Sequence, residues 1–172
     1  MHSHIIILKI IHIFAGVFWV GFAFFNIAFL QPAVKATGVE GQKLMQFLVR
    51  NTRLMMTVYI TATLTILSGL GLYWPLAGST SSFVRTGYGL ILTISSTAGI
   101  IAWIIAVFVI RNIFNQMGAL GTEIQSQEGP PSEGQMSGLQ RLGAKLGVVG
   151  NIVIFFMVIA LLGMSTARYS HF

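Results

Sequence analysis

Residues 5–30 read IIILKIIHIFAGVFWVGFAFFNIAFL, an apolar run in which Lys9, His12 and Asn26 are the strongly polar members. A helix crosses the hydrocarbon core of a bilayer with about 20 consecutive apolar residues, so this run is long enough to span. Three more stretches of the same character follow, at about 52–76, 84–110 and 145–167. None alternates polar and apolar residues over about ten positions, as a membrane-barrel strand does. Helices are therefore expected.

Composition agrees. The chain has 172 residues, 55% of them hydrophobic and 8% charged, and a mean hydropathy of +0.81. A soluble domain carries roughly 25% charged residues, so there is too little charge here to cover a water-facing surface. The expected fold is an all-α integral membrane protein: one domain over residues 1–172, folded as an antiparallel four-transmembrane-helix bundle. The first run is too long for the apolar core of a signal peptide, and no small-x-small cleavage pattern separates it from Gln31-Pro32. It is read as a retained span.

The net charge of +6 marks topology rather than a nucleic-acid partner. The long loops, 31–51 and 111–144, and the residues bounding them carry Lys35, Lys43, Arg50, Arg53, Arg111, Arg141 and Lys145, whereas Lys9, Arg85 and Arg168 are the only cations elsewhere. Seven against three puts the long loops in the cytoplasm by the positive-inside rule, with both termini outside. All four acidic residues, Glu40, Glu123, Glu128 and Glu133, fall in those loops. No carboxylate lies in a span, which argues against a carboxylate proton relay. The absence of cysteine excludes disulfides, thiolate metal sites, iron–sulfur clusters and covalently attached haem.

Punctuation along the chain suggests the helix limits. Pro32 is expected to stop the first helix or close its last turn, with a loop at Thr37-Gly38. Beyond Glu40, Leu44, Phe47, Leu48, Leu54 and Met55 recur at helical spacing. The second helix should thus begin as an amphipathic interfacial extension and run into the membrane. Tyr73 and Trp74-Pro75 mark an interface. The polar link 78–82 is short enough to make helices two and three antiparallel neighbours, and 127–134 reads as a turn. Stripes of small residues, Ser95, Gly99, Ala102 and Ala106 in the third helix and Gly143, Gly147, Gly150, Gly163 and Ala167 in the fourth, suit close packing in lipid.

Chemistry concentrates in the first span. His12, Gly16, Trp19, Ala23 and Asn26 repeat at four, three, four and three residues, which sets them on one helical face. At about 1.5 Å per residue, His12 lies roughly 10 Å below the outer end. An ionisable group at that depth faces a partner or a cofactor, and an imidazole one turn from glycine suits axial ligation of haem b. Gly16 would then give clearance and Trp19 a packing wall. The alternative for His12 is a hydrogen bond to a helix carbonyl or a Ser/Thr hydroxyl. Met164 is the second-ligand candidate at comparable depth, with a core role as its alternative. Arg85 and Arg168 sit at the same outer end and could pair with haem propionates or simply snorkel. His2, His4 and His171 gather at the outward termini, where imidazoles near a free amine could take copper or zinc. No Ser or Thr in a span is accompanied by a histidine and carboxylate set, and no phosphate-binding glycine loop follows a strand. No catalytic residue is assigned.

The stretch from Lys9 through His12 and Trp19 to Gly21 resembles the opening helix of a group of small four-helix bacterial membrane proteins. The group includes the copper-resistance protein D family, the HemJ-type protoporphyrinogen oxidases and uncharacterised relatives, which share a K-x-x-H-x-x-x-x-x-x-W-x-G start. Ser68-Gly69-Leu70-Gly71-Leu72-Tyr73 and the pattern Arg141…Gly147…Asn151 are similar to the uncharacterised members. The resemblance implies a multi-pass protein of the bacterial inner membrane, associated with haem b or redox chemistry, with His12 as the ligand.

The functional expectation is therefore a haem-b-binding membrane protein serving electron transfer or a redox enzyme. Its alternatives are a non-catalytic accessory or assembly subunit of a larger membrane complex, and copper handling through the outward histidines. The expected partners are the lipid bilayer and a second copy or a larger membrane complex, without nucleic acid.

Overall fold

A computed structural model describes residues 2–77 and 82–170, apart from the side chains of His2 and Val39. The described residues form helices and connecting turns without a strand. Four continuous helices are long and apolar enough to cross a membrane: Ser3–Thr37, Leu54–Ala77, Gly87–Ser126 and Glu133–Tyr169. Within them, α1 (His2–Phe25) passes through a π-helical turn, Asn26–Leu30, into α2 (Gln31–Thr37). A separate α3 (Val39–Asn51) precedes α4 (Leu54–Ala77). Then α5 (Gly87–Ile104) passes through a second π-helical turn, Ile105–Ile110, into α6 (Arg111–Ser126), and α7 (Glu133–Thr166) closes the bundle.

The first helix does not stop at Pro32. A proline inside a helix lacks the N–H that would reach back four residues, and its ring collides with the carbonyl there. Here the preceding turn is widened: the Gln31 N–H reaches five residues back to the Asn26 carbonyl. The Gln31 side-chain amide also donates to Asn26 Oδ1 at 2.9 Å. The π turn makes room for the ring, and the helix runs on to Gly38, whose φ of +58° suits a residue without a Cβ.

The amphipathic stretch after Gly38 is also not an extension of the second span. It ends at Asn51, where Thr52 turns extended. The Thr52 hydroxyl accepts the Leu54 N–H at 3.2 Å and so starts α4 anew. At the other end, the 127–134 segment forms a turn with Gly129 at a φ of +116°. Ser132 and Gln135 then close a capping box, which satisfies orphan N–H groups reciprocally and starts α7 at Glu133. The polar link at 78–81 lies outside the described residues.

α1 packs chiefly along α4, and α5 chiefly along α7. Cross-links between the pairs set the direction. Tyr73 pairs with Thr93 at 2.7 Å and the Trp103 indole donates to Thr63 at 3.2 Å; ten residues back along α4 correspond to ten forward along α5, so the two run antiparallel. The core sits where all four long helices meet, with Trp19 of α1, Ala62 of α4, Ala102 of α5, and Val153 and Met157 of α7 buried together. Ser95, Gly99 and Ala102 of α5 are buried as a stripe, and a Cβ on Gly163 would lie 1.8 Å from Ser95 Oγ. Ala106 is half-buried. The α7 stripe divides: Gly150 meets Ile27, whereas Gly143 and Gly147 face open space.

Candidate functional site

His12 is half-buried in the seam between α1 and α4. Its Nδ1 lies 2.8 Å from the backbone carbonyl oxygen of Thr65. A carbonyl only accepts, so Nδ1 carries the proton and donates. The Thr65 carbonyl oxygen, with two lone pairs, also lies 3.2 Å from the Ser68 hydroxyl, while the Thr65 hydroxyl donates to Thr61 O at 2.7 Å. Ser68 Oγ lies 3.4 Å from the same Nδ1. The ring rests on Gly69: a Cβ there would come within 2.8 Å of His12 Cε1 and 3.1 Å of Nδ1. Position, tautomer and ring plane are all set by α4.

Nε2 of the neutral ring is consequently the nitrogen with a lone pair. It has no hydrogen-bond partner among the described residues, and no fully buried side-chain nitrogen or oxygen among them lacks one. Nε2 is therefore not fully enclosed by the chain. A donated Nδ1–H and a free Nε2 are the arrangement in which histidine ligates metals, the hydrogen bond fixing the tautomer and raising ligand basicity.

The other predicted site residues separate from His12. Gly16 faces the Thr65 side chain, 3.5 Å from where its Cβ would stand, so α4 takes up its clearance. Trp19 is 4% exposed at the centre of the core. Met164 is half-buried on α7; its neighbour Gly163 packs against Ser95 and Ile91 of α5. Arg168 is exposed, donates to the Tyr169 hydroxyl and stacks on that ring 4.6 Å from its centroid. Arg85 is exposed and has no hydrogen-bond partner among the described residues. His4 is exposed, whereas His171 and the His2 side chain lie outside the described residues. Among the described residues no three histidines or carboxylates gather as a metal site.

His12 Nε2 has the donor chemistry to hold a haem iron, and among the described residues no group of three His, Cys, Asp or Glu side chains gathers around a metal position. An open apolar groove of about 360 Å³ between α1 and α4 is lined by Ile11, Phe14, Phe18 and Leu64, and His12 is not part of its lining.

The bond from His12 Nδ1 to the Thr65 carbonyl is the alternative expected for His12 from sequence, a hydrogen bond to a helix carbonyl, although no residue type marks which carbonyl accepts it. A second cavity, of about 500 Å³, lies at the other end of the bundle between Arg50, Tyr59, Arg111 and Asn115. The cations were visible in sequence, but only as topology markers.

No family model, curated protein or solved structure matches the chain.

Proposed function

We propose that the protein is a haem-b-binding membrane protein serving electron transfer or a redox enzyme, with His12 as its one axial ligand through Nε2. The observation that carries this reading is the 2.8 Å hydrogen bond from His12 Nδ1 to the Thr65 carbonyl, which commits one nitrogen and frees the other. Because Nε2 is not fully enclosed, the haem would be held beside α1 and α4, and the remaining contacts would come from a second copy or a larger membrane complex. Bound there, haem supplies one-electron transfer. The chain's own part is to hold and orient the imidazole. The resemblance of the first span to the copper-resistance D and HemJ group points the same way, with the long loops in the cytoplasm of a bacterium.

The test is a pyridine haemochrome assay on freshly extracted wild type and on His12→Ala. About one haem b per chain in the wild type, lost in the variant, supports the reading; pigment-free wild type overturns it.

A second reading, an accessory subunit of a larger complex, is favoured by the closed interior. The four helices meet in a core of Trp19, Ala62, Ala102, Val153 and Met157, and no buried polar side chain among the described residues waits for a ligand. Large apolar side chains such as Phe14, Val17 and Phe155 point outward. This reading requires a stoichiometric protein partner after mild extraction, whether or not pigment is present.

A further inference from the structure

We propose that the cavity between α3, α4 and α6 binds a phosphate-bearing anion, independently of anything held by His12. The space is about 500 Å³, and its polar lining consists of the Arg50 and Arg111 guanidinium groups, the Tyr59 hydroxyl and the Asn115 amide, with Phe114 and Gly118 beside them. Every one of these polar groups can donate a hydrogen bond, and no acidic side chain lines the space. Two of the four acids are engaged elsewhere: Glu40 pairs with Lys43 at 2.8 Å, and Glu123 accepts from Gln135 at 3.0 Å. Arg50 Nη2 is engaged by Gly118 and Thr122, so the Arg111 guanidinium is the fork free to grip phosphate oxygens bidentately, with the Arg50 charge beside it and no carboxylate in the lining.

The two cations come from different helices and are placed by different devices. Arg50, on α3, is anchored by donating to the Gly118 carbonyl and the Thr122 hydroxyl of α6. Arg111 opens α6 directly after the π turn, with its N–H reaching back to the Ala106 carbonyl. One extra residue in a turn rotates everything beyond it by about 100°. That rotation sets Arg111, Phe114, Asn115 and Gly118, at spacings of three, four and seven, along the face of α6 that looks onto the cavity. The Arg111 and Asn115 side chains have no hydrogen-bond partner among the described residues, so their donors are open to a ligand.

The cavity also sits at a boundary. Arg111 directly follows the apolar run 84–110, and Tyr59 lies in the first turns of α4. This is the level at which lipid headgroups meet a transmembrane helix, and basic pockets there hold anionic headgroups. A lipid phosphodiester and a free phosphate present the same chemistry, and experiment separates them.

Protein delipidated in neutral detergent is melted with phosphatidylglycerol, phosphatidylcholine or inorganic phosphate, for wild type, R111Q, R50Q and, as a control outside the cavity, R141Q. Phosphatidylglycerol should raise the wild-type and R141Q melting temperatures, with apparent affinity falling about tenfold or more in R111Q. A response to phosphatidylglycerol alone identifies a headgroup, and a response to inorganic phosphate as well identifies a free anion. R50Q also loses its bonds to α6; R111Q removes no bond of the fold and decides if R50Q melts too early. No shift with either anion, or an equal shift in wild type and R111Q, overturns the proposal.

Discussion

His12 on α1 and Thr65 on α4 are joined by a hydrogen bond from imidazole Nδ1 to the backbone carbonyl oxygen, 2.8 Å long. The bond crosses between helices more than fifty residues apart in sequence, and it decides which nitrogen of the ring is left for chemistry. The ring can take this position because position 69 has no side chain.

Gly69→Ala should therefore be disruptive. Its Cβ would stand 2.8 Å from His12 Cε1, and the ring, tethered at Nδ1, cannot yield without losing Thr65. Overpacking of this kind costs about 1–3 kcal/mol. Gly71→Ala meets Leu8 Cδ1 at 3.2 Å, the free end of a flexible side chain, and should cost less. Melting of the two variants in the same detergent should rank Gly69→Ala clearly below Gly71→Ala; the reverse order would show that the ring is not held.

The α5–α7 contact makes a sharper contrast. Gly163→Ala would drive a methyl into Ser95, which is 0% exposed, and should lower the melting temperature strongly. Ser95→Gly should recover part of that loss when combined with Gly163→Ala. Gly147→Ala meets nothing and should be neutral or mildly stabilising, since alanine favours a helix over glycine by up to about 1 kcal/mol.

Arg50 ties α3 to α6 through Gly118 and Thr122, yet it is exposed, and exposed interactions contribute about 1 kcal/mol or less. Arg50→Ala should barely change global melting. It should instead speed amide exchange in α3 while leaving α4 protected. Uniform acceleration across both helices would contradict a local anchoring role.

Cation distribution predicts the orientation. With no native cysteine, single substitutions report it directly. Ser126→Cys, at the C-terminal end of α6, should react with an impermeant thiol reagent only from the cytoplasmic side, and Ser170→Cys only from outside. Labelling of Ser126→Cys from outside would invert the topology.

The four long helices were legible because hydropathy alone demands them, and the stripe Ser95, Gly99, Ala102 was legible because small residues at helical spacing have few other uses in lipid. Helix ends were less so. Pro32 carries a stop signal that the π turn at Asn26–Leu30 cancels, and a π turn has no composition of its own. Glu133 begins α7 well before the apolar run does, because a capping box needs only Ser132 and Gln135. His12 stood out as the polar residue on an apolar helix, but its partner did not, since any residue can offer a carbonyl. Arg50 and Arg111 were read singly, and only folding sets them around one cavity.

The most direct test of the central claim uses His12→Gly, which removes the imidazole and leaves space for a free one. The account predicts that wild type shows a haem b Soret band, that His12→Gly extracted without supplement lacks it, and that free imidazole with haemin restores it. A Soret band of wild-type intensity in His12→Gly without imidazole, or none in the freshly extracted wild type, would contradict it.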